Sequence, residues 1–181
     1  NRESELDIVE YESGNVFYGP NRTNAISAHV ERFLLSPYVL QLGKTRLKDE
    51  AVNTQKLDGL VVFGIGLGLH IYELIIKLKP KHLVVYESNP DFLGCSLYSG
   101  FWPKIFDYAQ EQNISLYFQI PNNGKSLYSD LSELKQAFAL ERFAVYFHYH
   151  NSVFDDIFDE LVSNNWFLST DLRETVEKKG F

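Results

Sequence analysis

The chain contains no methionine, a single cysteine and no strongly basic segment, and its formal net charge is −7. Each absence removes a class of function. With only Cys95, no disulfide can form within the chain, so a small oxidised scaffold is excluded. The acidic balance gives no general field to attract a phosphate backbone, and no stretch joins clustered Lys and Arg to aromatics. Nucleic acid is therefore not an expected partner. No apolar run reaches bilayer-crossing length, and no cationic leader precedes an apolar segment, so no membrane association is expected and the expected compartment is cytoplasmic. A P-loop, zinc-ligand spacing, a paired-carboxylate motif and a Ser-His-Asp signature are all missing. Starting at Asn1 with no methionine, the text is expected to be a domain cut from something longer, with further chain after Phe181.

What is present is an apolar fraction of 45% against 23% charged residues, enough for one globular core. From Asp7 to Gly19 two short alternating runs, IVEYE and NVFYG, flank Ser13-Gly14-Asn15 and predict a β-hairpin. Thr23 or Asn24 then caps a helix carrying Ile26, Val30, Phe33 and Leu34 at helical spacing, and Pro37 follows it. Residues 37–56 lack a period and read as a connection. The expected organisation is thus an N-terminal hairpin, helix and connection over 1–56 and a larger unit over 57–181.

In that larger unit short apolar runs alternate with amphipathic text. LVVFG, HLVVYE, ISLYFQ and FAVYFHY are each followed by a helical stretch. Nearly continuous apolar strands alternating with helices predict an α/β fold with a Rossmann-like, doubly wound, mostly parallel sheet. The expected spatial order of these four strands is third, second, first, fourth, with the hairpin outside the core.

The most informative text is LVVFGIGLGLHIYELIIKL. A buried strand stops at Gly64 and a helix starts just after Gly68, so Gly66 leaves room for a ligand to approach backbone amides and a positive helix end. Glu87 closes the next strand 23 residues after Gly64, where an acid in doubly wound folds holds ribose hydroxyls. These residues, with Asn89, are the cofactor-binding candidates. Leu69 stands where the third glycine of a dinucleotide motif belongs. The G-x-G-x-G form instead resembles the first motif of S-adenosylmethionine-dependent methyltransferases, although Val62 replaces the acid usual two residues before the first glycine. The competing reading is that the glycines only permit tight strand–turn–helix packing.

His70, at the start of the helix, and His148 and His150, at the end of the fourth strand, are the candidates for lining a cleft at the carboxyl ends of the strands. Their plainer reading is packing and hydrogen bonding. A pairing of His70 with Glu73 is read as structural, and no metal is expected. Cys95 is expected to be a small buried thiol. The load of 14 Phe, 11 Tyr and 2 Trp, with segments such as SLYSGFWPKIFDYA, points to aromatics at a surface shared with another domain, or to a Phe-rich core.

The run Gly64-Ile65-Gly66-Leu67-Gly68, the segment Glu87-Ser88-Asn89-Pro90 and the triplet Ser96-Leu97-Tyr98, preceded by NVFYGP, resemble the N-terminal domain of the Maf family, bacterial motility-associated factors that glycosylate flagellin. The likeness spans most of the chain. It implies participation in attaching nonulosonic, sialic-acid-like sugars, from a CMP-activated nonulosonic acid as donor of the full-length protein, to serine or threonine of flagellin in the cytoplasm. In that family the transfer site lies in a following domain with a Gly-Pro-Ser sequence, which does not occur here. The resemblance therefore implies a non-catalytic N-terminal part whose partners are flagellin and its own downstream catalytic domain. A methyltransferase-like domain and a pure interaction module with a vestigial cleft are the alternatives.

Overall fold

The computed structural model describes residues 6–42, 57–120, 127–140, 142–149, 152–164 and 166–168. The chain opens with the predicted hairpin, a single antiparallel bridge between Val9 and Val16 closed by hydrogen bonds between Glu10 and Gly14 and between Glu10 and Asn15. Helix α1 (Arg22–Leu35) follows, with Asn21 at its N-cap position, two residues before Thr23 and three before Asn24, and with no side-chain capping hydrogen bond. Strand β1 (Tyr38–Leu42) occupies the start of the stretch read as a connection, which corrects that reading. The remainder of that stretch lies outside the described residues.

The doubly wound unit comprises β2 (Gly59–Phe63), α2 (Leu69–Leu78), β3 (His82–Tyr86), α3 (Pro90–Ser96), α4 (Phe101–Gln112), β4 (Ser115–Gln119), α5 (Leu127–Phe138), β5 (Arg142–Phe147) and α6 (Ser152–Ser163). A short β6 (Trp166–Leu168), absent from the sequence reading, completes the sheet. The strand order is β4-β3-β2-β5-β1-β6. Strands β2 to β5 run parallel in the expected order, while β1 lies antiparallel to both β5 and β6.

Period-two alternation sorts the apolar strand residues onto two faces. Val61, Phe63, Val84, Val145 and Phe147 face α5 and α6 through Leu127, Leu131, Leu134, Phe154 and Leu161. Leu60, Val62, Leu83, Val85 and Ala144 face the other way, onto α1, α2 and α4 through Val30, Ile71, Leu74, Ile75, Trp102 and Ile105. Helices on both faces explain why β2 and β3 are buried at every position. Successive crossovers carry the chain from β2 outward to β3 and β4, and the next returns it to β5 on the opposite side of β2. The sheet therefore has its switch point between the carboxyl ends of β2 and β5, where ligands of such folds bind.

Candidate functional site at the glycine turn

The switch point is built from three pieces: the turn Gly64–Gly68 after β2, Glu87 after β3, and His148-Tyr149 after β5. A fourth piece comes from the amino-terminal section, where Phe17 and Tyr18 fold back over the turn. Gly64, Gly66 and Gly68 all have positive φ, at 93°, 48° and 86°, and all are buried. This is the conformation that glycine alone adopts without strain, so the sequence dictates the turn.

At Gly66 the space that a side chain would take is occupied by the protein's own side chains. A Cβ built there would lie 2.0 Å from the Tyr18 hydroxyl and 2.6 Å from His148 Nε2. At Gly64 the corresponding space holds the Tyr149 ring, 2.5 Å from such a Cβ. The absence of side chains from the glycines is thus matched by aromatic side chains of the protein itself. The turn's amides are used in the same way. Leu67 N–H donates to the Tyr18 hydroxyl at 3.1 Å, and Ile65 N–H donates to Glu87 Oε2 at 2.8 Å.

Glu87 does lie beside the glycine turn, as the sequence required, yet it is fully buried. Its second oxygen, Oε1, accepts from Asn89 N–H at 2.8 Å and from the Tyr149 hydroxyl at 2.5 Å. A buried carboxylate is tolerable only when its oxygens are satisfied by donors, and these three supply them. Burial, and then the adjoining Glu87 carboxylate, push the Tyr149 phenol well above its ordinary range. Asn89 is exposed, and its side chain caps α3 by accepting from Asp91 N–H at 3.0 Å.

His70 and His148 are brought together as stacked rings, 3.6 Å between centroids and 7° from parallel, with no exposed surface. His70 Nε2 donates to the Gly64 carbonyl at 2.9 Å, which leaves the lone pair on Nδ1. Burial lowers the His70 pKa to about 3, the Gly64 carbonyl opposing the shift. The Tyr18 hydroxyl, which accepts from Leu67 N–H, also hydrogen-bonds with His148 Nε2 at 2.5 Å. Burial, then the neighbouring His70, push His148 well below the usual histidine range, and burial raises the Tyr18 phenol. Behind the stack His29 Nδ1 meets the Tyr146 hydroxyl at 2.6 Å. His70 does not pair with Glu73, which instead accepts from Ser27 Oγ at 2.6 Å. His150 lies outside the described residues.

Sequence reasoning missed Tyr18, Tyr149 and His29. Tyr18 and Tyr149 lie just outside elements and His29 lies within α1, and linear spacing does not show that these polar-headed rings converge. Cys95 is exposed, contrary to the expected buried thiol, because the short α3 presents it outward. Among the described residues no group of three or more His, Cys, Asp or Glu is placed to hold a metal ion, and no helix is long and apolar enough to cross a membrane.

With this geometry established, comparison with known proteins gives the following. The family model for the glycosyltransferase Maf N-terminal domain matches residues 38–167. Among solved structures the chain is similar to a MAf glycosyltransferase from Magnetospirillum magneticum AMB-1, with a TM-score of 0.55 and 16% identity. That match covers 91% of this chain but 31% of the other, and at this identity it shows the shared fold. No curated protein matches the chain.

Proposed function

The chain belongs to the Maf glycosyltransferase N-terminal domain family, and from that premise we propose that it is a non-catalytic, accessory part of a protein glycosyltransferase. The reaction of the whole protein, on this reading, is transfer of a nonulosonic, sialic-acid-like sugar from a CMP-activated donor to serine or threonine of flagellin, in the bacterial cytoplasm. The observation that carries the non-catalytic role is the Tyr18 hydroxyl in the space that Gly66 opens, 2.0 Å from where a Cβ would sit. A nucleotide phosphate brought to that turn would have to expel Tyr18 and His148 and take two amides from partners they already have.

An accessory domain needs a surface on which to hold the remainder of its polypeptide. Leu97 and Tyr98, just after α3, are 64% and 81% exposed, and Phe106 of α4 and Phe118 of the edge strand β4 are 49% and 41% exposed. Trp102 joins Phe106 and Phe118 into one set of touching rings. Exposed aromatics in contact with one another are the usual mark of an interface. The occupant we assign to them is the larger part of the glycosyltransferase, since the similar solved protein is about three times the length of the matched region.

The test is to incubate the chain alone with a CMP-nonulosonate and unmodified flagellin and to weigh the flagellin. An unchanged mass is expected; a gain of one sugar mass would overturn the assignment. In a full-length relative of the same family architecture, replacing the counterparts of Phe106 and Phe118 by serine is expected to lower transfer while leaving this domain folded.

A further inference from the structure

Arg22 is the first residue of α1, and it keeps 9% of its surface in solvent. Its Nε and Nη1 are buried and have no hydrogen-bond partner. A buried guanidinium without a counter-charge is costly, because desolvation is not offset by a Coulombic partner. Asp7 and Glu87 lie close enough to act, with Arg22, on the Tyr18 phenol, but among the described residues neither is in ion-pair contact with the guanidinium. Asp7 accepts from Ile8 N–H at 2.7 Å, Tyr18 N–H at 3.1 Å and Gly19 N–H at 2.8 Å, and Glu87 accepts the three donors described above. The ion pair of Lys77 with Glu31 lies far along α1 from Arg22.

A second observation points the same way. The 14-residue α1 begins without a side-chain cap, since Asn21 makes no capping hydrogen bond, and its first turn holds no acidic residue. The positive end of the helix dipole is therefore uncompensated, and a cation at that end adds to it. As the first residue of α1, Arg22 stands at the amino end of the helix, beside the first-turn amides. One turn on, Ile26 packs with Tyr18, Leu67 and Leu69, which fixes this end of α1 beside the glycine turn. A buried, unpaired guanidinium and an uncapped helix end converge on one place.

We propose that this place binds an oxyanion of a small molecule, a carboxylate or phosphate group, with Arg22 as its principal ligand and the head of α1 as support. The site is separate from the Gly66 cradle, which the protein fills itself, and it does not depend on the glycosyltransferase reading.

The test uses the chain at pH 7.5 and constant ionic strength, with sodium phosphate and sodium acetate as probes against sodium chloride. Thermal melts are expected to show a saturable rise of about 5 °C with phosphate or with acetate and none with chloride. A response to phosphate assigns a phosphoryl ligand and one to acetate a carboxylate. Arg22→Met is expected to melt in chloride no lower than the parent, having lost an unpaired charge, and to ignore both probes. Arg22→Lys keeps the charge but loses the planar donors, and its response is expected to be weaker. The Arg22 Nε–H resonance of the parent, followed by NMR, reads the same contact without any substitution. Equal responses in parent and Arg22→Met, or an Nε–H signal unmoved by either probe, would overturn the proposal.

Discussion

Removing the Glu87 carboxylate tests the reading of the glycine turn as an internal junction. Three donors converge on it: Ile65 N–H, Asn89 N–H and the Tyr149 hydroxyl. Asn89 is exposed and can turn to water, whereas Ile65 is fully buried and Tyr149 keeps 5% of its surface. Glu87→Ala therefore strands two buried donors and opens a void, at about 1–3 kcal/mol for each donor with the void adding to it. The two donors alone come to roughly 2–6 kcal/mol, and with the void the loss approaches the whole stability of an ordinary domain, about 5–15 kcal/mol. Glu87→Gln can keep its oxygen towards Asn89 and Tyr149, but its amide then faces the Ile65 N–H. The expected cost is one mismatched donor, about 1–3 kcal/mol. Urea unfolding followed by circular dichroism should rank parent, Gln and Ala in that order of midpoint, with the slope unchanged for Gln. If Glu87→Gln unfolds within about 0.5 kcal/mol of the parent, the size of an ordinary surface change, Glu87 does not hold the turn and the reasoning fails.

Acid should destabilise the chain. His70, at about 3 in the folded state against 6.5 when free, binds fewer protons folded than unfolded between those values. Stability is therefore lost as pH falls through that window, by about 2 kcal/mol at pH 5 from His70, with a further loss from His148, whose shift has the same sign. Urea midpoints at pH 7.5, 6 and 5 check this, and a flat profile contradicts it. Gly66→Ala should cost about 3 kcal/mol or more, since it strains a positive φ and meets the Tyr18 hydroxyl. Tyr18→Phe removes that hydroxyl and costs about 1–3 kcal/mol through the unpaired Leu67 N–H. The double variant should be less destabilised than the sum of the two, because the atom in the way has gone; additive costs in the four-variant cycle would show that Tyr18 does not fill the cradle.

Much of this architecture is written locally. LVVFG, HLVVYE and FAVYFHY are nearly continuous apolar runs because both faces of their strands are covered, and right-handed crossovers then place helices on both sides of the sheet. Gly64, Gly66 and Gly68 announce their turn because three positive φ values within five residues suit glycine far better than any residue with a Cβ. Pro90 after Asn89 likewise marks the start of α3, where the fixed proline φ and the Asn side chain begin a helix together. By contrast, β1 is five residues long and owes its state to pairing with β5 and β6, contacts made across more than a hundred residues of sequence. Nothing within YVLQL distinguishes such a strand from a connection. The contents of the cradle were hidden for the same reason. Glycine shows that something approaches the backbone, but Tyr18 arrives there from 46 residues upstream of Gly64 and His148 from 84 residues downstream. Whether the visitor is a ligand or the protein's own side chain is decided by tertiary structure. Glu87 was placed correctly beside the turn, while its oxygens proved to serve Ile65, Asn89 and Tyr149.

The central claim, that the glycine turn is closed by the protein itself, is tested most directly at its own amides. A titration of the isotope-labelled chain with CMP, NADH and S-adenosylmethionine, followed through the Ile65, Gly66 and Leu67 N–H signals, reports on the space in question. With Glu87 and Tyr18 already bonded to Ile65 and Leu67, these signals are predicted to stay in place at millimolar nucleotide. A saturable shift of all three with any one compound, lost in Glu87→Gln, would show that Tyr18 gives way to a ligand and would contradict the account.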